Sequence, residues 1–522
     1  MKDDFTPRTY QKSLFDEVSG RNALLVLPTG LGKTIIAAML IDDIVVDDEK
    51  VVFVAPTKPL LDQHLATIKE FIPRLEHEVT KISGDVKPEH RQTRFKDSNV
   101  VIATPQTVRN DVEDGRITFS DTDLLIVDEA HRATGDYAYT SIAESYHLQR
   151  DNPAVLGMTA SPGSEKAKIR EIIDNLGVDY LAYRTRDDEE VEEYTHETEL
   201  DFREVELQPG PQDVQTFLQS SLEDKVDKAT SLGYVKDNQG KYSRKTLLSY
   251  MQSLQKKLDS GEKHPRLFQS LSLVAQALKV QHAVTLIESQ GLKPLIEYIE
   301  SLEDEAEAGE TKAAEKLMDD GYFQAASRLA RNLVENGYEH PKVGLLRDIV
   351  TEQVEDDADS KIIVFTQFRD SAHWITEVLG DAGIKAKTFL GQASKKRSGL
   401  SQSEQAAMLD EFRDEDFTCL VSTSVGEEGL DIPDVDLVVF YEPVASAIRS
   451  VQRRGRTGRH SKGEVITLIT EDTRDEGIRW AAYHREKQMK QALHDIQAEL
   501  VGEDVVDDEE TAGQQRLDAF NE

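Results

Sequence analysis

Leu27-Pro28-Thr29-Gly30-Leu31-Gly32-Lys33-Thr34 sets two glycines, a lysine and a threonine between an apolar run and a stretch rich in Ile and Ala. That order suits a polyphosphate. Glycines let backbone N–H groups turn toward a β-phosphate, the following helix N-terminus adds positive potential, Lys33 reaches the β- and γ-phosphates and Thr34 can ligate Mg²⁺. Leu27 stands where the strict pattern has glycine, so the motif by itself leaves open a plain strand-to-helix turn. Ninety-five residues after Lys33, the apolar run Leu124 to Val127 ends in Asp128-Glu129-Ala130-His131. Asp128 suits holding Mg²⁺ through water, and Glu129 suits orienting and deprotonating an attacking water. The alternative, an acidic helix cap after a buried strand, is disfavoured by the phosphate loop upstream. Far along the chain, Gln452-Arg453-Arg454-Gly455-Arg456-Thr457-Gly458-Arg459 places four arginines in eight residues. Guanidinium groups suit charge developing on a transferring phosphoryl, and equally the phosphates of a nucleic acid.

These residues need rigid elements to hold them. Short apolar runs at Leu24 to Leu27, Val51 to Ala55, Val100 to Ala103, Leu124 to Val127 and Val155 to Met158 alternate with helix-length stretches, the rhythm of a parallel sheet with crossover helices. Asp187 to Glu199 then holds eight acids in thirteen residues, a connection. Helical spacing follows, as in Leu247, Met251, Leu254 and Leu258, or Leu267, Leu271, Val274 and Leu278. The strand pattern returns at Ile362 to Phe365, Cys419 to Ser422, Leu437 to Tyr441 and Val465 to Ile469, and a helix is predicted around Ile478 to Leu493. The expected organisation is α/β with two parallel-sheet domains, 1–186 and 346–497, a helical region at 200–345 and an acidic tail at 498–522. A length of 522 residues fits about three domains at roughly 150 each. The single cysteine, Cys419, excludes an internal disulfide framework and a cysteine-rich zinc site. With no apolar run near the ~18 residues of a membrane span and no signal-peptide core in Met1 to Arg8, a cytoplasmic protein is expected.

With the three motifs in this order, the chain resembles a superfamily 2 helicase or translocase of the DEAH-box type. Arg8 to Gln11, Ala55 to Leu60, Thr104 to Val108, Thr159 to Ser161, Val364 to Arg369 and Thr423 to Asp431 supply the other stretches in sequence. More narrowly, Asp128 to Tyr139, Gly399 to Gln405 and Thr423 to Arg459 look like the archaeal Hef helicases and their Fanconi anaemia M-type relatives, which remodel branched DNA. The resemblance implies two RecA-like domains with a helical, polymerase-thumb-like insertion between them. It covers residues 5 to 495 and does not extend to the XPF-type nuclease of full-length Hef, so nuclease activity is not carried over. It implies ATP and Mg²⁺ as cofactors. Arg8 and Gln11 would lie at the nucleotide, Gln11 reading the adenine, with Pro28, Thr29, Gly30, Leu31, Gly32, Lys33 and Thr34 around the triphosphate. Thr34 and Asp128 would hold the metal, Glu129 the water. His131 and Gln452 would couple nucleotide to domain interface, Arg456 and Arg459 would be arginine fingers, and Gly429 and Asp431 would sit near the ribose. Lys58, Thr104, Gln106, Thr366, Gln367 and Thr423 would face the nucleic-acid backbone, and Thr159 and Ser161 would link hydrolysis to motion unless they merely cap a helix.

A net charge of −36 sits badly with binding a polyanion. Between Lys225 and Lys293, however, twelve bases face five acids, a local +7 that favours a phosphate-tracking surface over a mixed solvated face, with Lys241, Arg244, Lys245, Lys256 and Lys257 contributing most. The remaining acidity resembles that of proteins from salt-loving archaea, because at 1 M salt the Debye length is only ~3 Å. Gln514, Leu517 and Phe520 in the tail resemble a sliding-clamp docking peptide, against a plain solubilising tail. Forked DNA is the expected partner. An RNA helicase, or an ATP-gated scaffold that binds DNA without unwinding it, are the competing functions.

Overall fold

The computed structural model describes residues 1–2, 5–47, 49–186, 188–192, 194, 200–236, 242–390, 402–414, 416–423, 435–443 and 464–501. The first lobe is a seven-stranded parallel sheet: β1 (Ala23–Val26), β2 (Val51–Val54), β3 (Val79–Ile82), β4 (Val100–Ala103), β5 (Leu124–Asp128), β6 (Val155–Thr159) and β7 (Tyr180–Tyr183), in the order β3-β4-β2-β5-β6-β1-β7. Every residue of β1, β2, β4, β5 and β6 is buried, as uninterrupted apolar runs require when helices cover both faces. Because all pairings are parallel, the phosphate loop after β1, Lys58 after β2, Thr104 after β4, Asp128 ending β5 and Thr159 ending β6 share one edge. Ligands of such sheets bind at that carboxyl edge.

The second lobe is also parallel, with β8 (Leu200–Val205), β9 (Ile362–Phe365), β10 (Ala386–Phe389), β11 (Cys419–Ser422), β12 (Leu437–Phe440) and β13 (Glu464–Thr470) ordered β10-β11-β9-β12-β13-β8. One boundary shifts. Residues 200–205, placed by the sequence at the start of the helical region, form an edge strand beside β13. Their pattern is weak because the edge is lined by charge: Arg479 lies over Phe202 at 4.3 Å and pairs with Glu204 at 2.6 Å.

Between the lobes, helices from Pro209 to Glu335 close around Leu218, Leu254, Leu267, Val274, Ala277, Leu295, Phe323 and Ala330. The Pro265–Ser289 helix is the axis of this insert, and towards its C-terminus Ala283, Val284, Leu286, Ile287, Glu288 and Ser289 are all buried. Such all-round burial means the helix end is wrapped by more than its own domain. It docks on the second lobe. The last helix, predicted around 478 to 493, runs from Arg474 to Val501, and Met489, Ala492, Leu493 and Ile496 enter the core of the first lobe. Glu499 pairs there with Arg170, and with Lys166 at 2.5 Å. No described helix is long and apolar enough to cross a membrane.

Three helix ends meet at one fully buried ion pair. Lys342, at the start of the Pro341–Asp356 helix, pairs with Asp475, at the start of the last helix, and both side chains are 0% exposed. Asp475 also accepts from Ser289 Oγ at 2.8 Å and Thr470 N at 3.3 Å, while Arg474 reaches Thr285 Oγ1 at 2.6 Å. A buried pair contributes little against an apolar replacement, yet breaking it by removing one partner is costly. Asp475→Ala strands the Lys342 ammonium and is expected to lower stability by about 3–5 kcal/mol in denaturant unfolding, whereas a loss below ~1 kcal/mol would contradict a buried charge at this joint.

Candidate active site

The phosphate loop is held from below by its own preceding helix. Tyr10 Oη donates to Leu31 O at 2.8 Å, Gln11 Nε2 to the same carbonyl at 3.3 Å, and Arg8 N to Gln11 Oε1 at 3.0 Å. Gln11 is 5% exposed, and Leu31 turns its side chain into the core. Thus Leu31 serves the loop through its carbonyl, and its side chain does not line the nucleotide space. Gly32 has φ +80, a left-handed backbone that strains any other residue, and a Cβ there would displace Gln11 Nε2, which would stand 2.5 Å away. Gly30, exposed, also has positive φ, with Pro28 and Thr29 half-buried before it. Lys33 opens the Lys33–Ile44 helix, with Thr34 next, and donates from Nζ to Leu27 O at 3.0 Å.

Asp128 closes β5 at 5% exposure. Its Oδ2 is 2.8 Å from His64 Nε2, and its backbone carbonyl accepts from Tyr139 Oη at 2.7 Å. Burial by itself would raise the carboxyl, but His64, Lys33 and the Glu129 backbone N–H together hold it below the usual carboxylate range. The residue is therefore an ionised carboxylate out of water. Glu129 adopts φ 51 and ψ 47, a left-handed conformation uncommon for a side chain this size and typical of sites where geometry is imposed. Its carboxylate lies 3.3 Å from His131 Nδ1, which lies 3.1 Å from Thr159 Oγ1, and that oxygen accepts from Ser161 N at 3.1 Å. Leu27 N donates to Thr159 O at 3.1 Å, so β6 ties the carboxylate strand to the phosphate loop.

His64 and Tyr139 were not singled out in the sequence. A signal existed for His64, which lies in line with Leu60, Leu61 and Ile68 on the buried face of the Lys58–Phe71 helix. A polar ring on an apolar stripe needs a partner, and Asp128 is it.

Of the residues expected to face nucleic acid, Lys58, Thr104 and Gln106 sit beyond neighbouring strands β2 and β4 on the site's edge. Lys58 pairs with Asp85 at 2.6 Å at the surface, Thr104 Oγ1 lies 2.8 Å from Thr107 Oγ1, and Gln106 is exposed. In the second lobe, exposed Gln367 follows β9 and half-buried Thr423 follows β11. Thr366 does not face outwards. It is 1% exposed and its hydroxyl lies 3.2 Å from both Gln290 Oε1 and Glu442 Oε1, in the joint between insert and lobe, because the residue ending a central strand is covered by the docked helix.

In the insert, Lys225, Lys228, Lys279 and Lys293 are engaged by Asp320, Asp224, Glu305 and Glu377. The remaining described bases are Lys236, Arg244, Lys245, Lys256 and Lys257 on and before the Arg244–Asp259 helix, Lys263 in the turn after it and Arg266 opening the next helix. Lys257 stacks over Tyr234 at 4.9 Å, and Phe268 is 49% exposed beside this turn. Lys241, Gly429, Asp431, Gln452, Arg456, Arg459, Gln514, Leu517 and Phe520 lie outside the described residues.

A phosphate loop and a buried carboxylate on the carboxyl edge of one parallel sheet, joined to a second parallel sheet, define a two-lobed ATPase of the helicase class. Residues 4–164 match the family model for the res subunit of type III restriction enzymes, 341–461 the helicase conserved C-terminal domain, and 211–336 the helical bundle named for an ATP-dependent RNA helicase. The solved helicase domain of Hef from Pyrococcus furiosus is 43% identical, aligned over 91% of this chain and 98% of its own, with a TM-score of 0.71. The chain belongs to the Hef family of helicases. A protein of Methanocaldococcus jannaschii named as an ATP-dependent RNA helicase is 36% identical over 94% of this chain and 62% of its own length. The ATP-dependent DNA helicase MPH1 of Pyricularia oryzae is 34% identical over 95% and 47%. The chain therefore spans about half to three fifths of these relatives.

Glu442 gives the joint a pH signature. At 1% exposure it also accepts from Gln367 N, and burial pushes its carboxyl up to about 7 against the opposing pull of Gln367 N, Gln290 and Lys342. Folded protein thus holds this proton while the unfolded chain releases it near ~4.3, so stability falls as pH rises from there to about 7 and levels off above. Glu442→Gln keeps an acceptor for Thr366 and Gln367 N but cannot ionise. Its unfolding curves against pH are expected to lack this decline, leaving it up to ~3 kcal/mol more stable than wild type above pH 7; parallel curves would contradict the assignment.

Proposed function

We propose that this chain is the ATP-driven motor of a DNA helicase or translocase that remodels forked or branched DNA in repair and replication-fork processing. The observation that carries the reading is Asp128 held ionised beside Lys33, with Glu129 following it in a left-handed turn against His131. A triphosphate seated on the loop N–H groups would place its γ-phosphate within reach of Lys33 and an attacking water beside Glu129. The water oxygen would bond to the γ-phosphorus as its proton passes to Glu129, and the bond from that phosphorus to the leaving ADP oxygen would break. Thr34, a hydroxyl at the helix start, and Asp128, a carboxylate, are the residues that would hold Mg²⁺, which when bound would supply positive charge to the phosphates. Gln11 and Arg8 would border the adenine side, and the family resemblance would assign Gly429 and Asp431 to the ribose and Arg456 and Arg459 to the arginine fingers. A site split in this way is complete only when the lobes close, so each turnover closes and reopens the cleft and moves whatever strand the lobes grip.

The bases at the two ends of the Arg244–Asp259 helix support a phosphate-tracking role for Arg244, Lys245, Lys256 and Lys257, to which Lys241 would add. Acidic excess elsewhere fits work in concentrated salt, where distant acids no longer repel DNA. Gln514, Leu517 and Phe520 would dock on a sliding clamp. An RNA duplex as substrate is the second reading, favoured by the RNA-helicase name of the Methanocaldococcus relative.

In molar KCl, forked DNA is expected to stimulate ATP turnover and to be separated in a single turnover. Stimulation by duplex RNA equal to that by forks would favour the RNA reading, and tight fork binding without strand separation the scaffold. Lys256→Ala with Lys257→Ala is expected to weaken fork binding and to reduce the slope of log affinity against log salt by about 1.5, at ~0.7–0.9 per lost phosphate contact; an unchanged slope would remove the turn from the interface.

A further inference from the structure

Trp480 is 65% exposed, whereas the chain's other tryptophan, Trp374, is 9% exposed within the second lobe's core. Its indole stacks on His484 one helical turn later, ring centroids 5.0 Å apart and planes at 26°. At about 100° per residue, Trp480, His484, Lys487 and Gln491 fall within roughly 60° of arc on the last helix. All four are exposed. Met489, Ala492, Leu493 and Ile496, which enter the first lobe's core, lie on the opposite face.

The direction of this face is fixed. Asp475 anchors the helix five residues before Trp480 at 0% exposure, and Arg479 ties it to Glu204 and Phe202. Glu476 and Asp495 lie at the two ends of the stripe and are engaged with Asp472 N at 3.3 Å and Gln491 Nε2 at 2.8 Å. The described neighbours of Trp480 towards the C-terminal end of its face are thus an imidazole, an ammonium and an amide, while the Glu476 carboxylate bounds the face one turn before it, so a strand would run from the ring pair towards Lys487. Paired flat rings beside a cation suit planar, polar-edged groups strung on a phosphate backbone.

We propose that the Trp480–His484 face is a second nucleic-acid site of this motor, taking an unpaired strand by stacking its bases on the ring pair while Lys487 meets the backbone phosphate. The assignment rests on the motor reading above. It also supplies affinity that survives where salt weakens phosphate contacts, since stacking releases no counterions.

The test titrates oligothymidylate into the full chain in molar KCl and reads two signals. Anisotropy of a labelled oligomer reports total binding, and the difference in emission between wild type and Trp480→Phe isolates Trp480 over the background of Trp374. Saturable quenching of Trp480 in step with the anisotropy, and about tenfold weaker binding by Trp480→Ala that Trp480→Phe restores in part, are expected. Unchanged Trp480 emission while anisotropy reports binding, or Trp480→Ala binding as wild type, would overturn the site. Absence of binding by anisotropy would overturn the motor reading, and the proposal with it.

Discussion

Asp128 has to carry a negative charge where water scarcely reaches, and much of the first lobe is arranged around that requirement. Desolvation works against the carboxylate, so His64 is brought across from the helix after β2 to within 2.8 Å, and Lys33 contributes from the phosphate loop. Both partners can arrive because β2, β5, β6 and β1 run parallel and end together. Tyr139 fixes the carbonyl of the same residue, and the chain leaves the strand through a left-handed turn at Glu129.

From that point, polar contacts lead outward. Glu129, His131, Thr159 and Ser161 form a chain of contacts, and Ser161 Oγ reaches Met489 Sδ at 3.5 Å on the last helix. That helix begins at the Lys342–Asp475 pair, where the insert is bonded to the second lobe through Ser289, Thr285 and Gln290. Hence the element that packs on the first lobe starts where the insert joins the second. A change at Glu129 has a continuous physical route to the body that carries the basic turn.

Much of this was legible in the residues. Strands buried on both faces announce themselves as apolar runs, and the runs at Leu24, Val51, Val100, Leu124 and Val155 all became strands. The edge strands β3, β7, β8 and β10 were missed, since one side of each is open and Lys81, Arg203 and Lys387 interrupt the pattern. Loop chemistry at Gly30 to Thr34 and Asp128 to His131 was readable because turns and carboxylates there have few other uses. Long-range pairings were not. Nothing local marks His64 as the partner of Asp128, or Thr366 as a buried link to Gln290; these depend on which strands become neighbours and where a helix docks. The +7 segment shows the same limit: composition counted the bases, but acids outside that stretch, including Asp224, Asp320, Glu305 and Glu377, neutralise four of them and leave the rest along the Arg244–Asp259 helix and the residues flanking it.

The central claim is that His64 keeps Asp128 ionised for its work on the nucleotide. It is tested most directly by ATP turnover against pH, at saturating Mg²⁺ and DNA, for wild type and His64→Leu. With His64 gone, burial acts on Asp128 opposed chiefly by Lys33, so the carboxyl titrates higher and the acid limb of the profile should move to higher pH, with activity recovering as pH rises. Superimposable acid limbs would contradict the account.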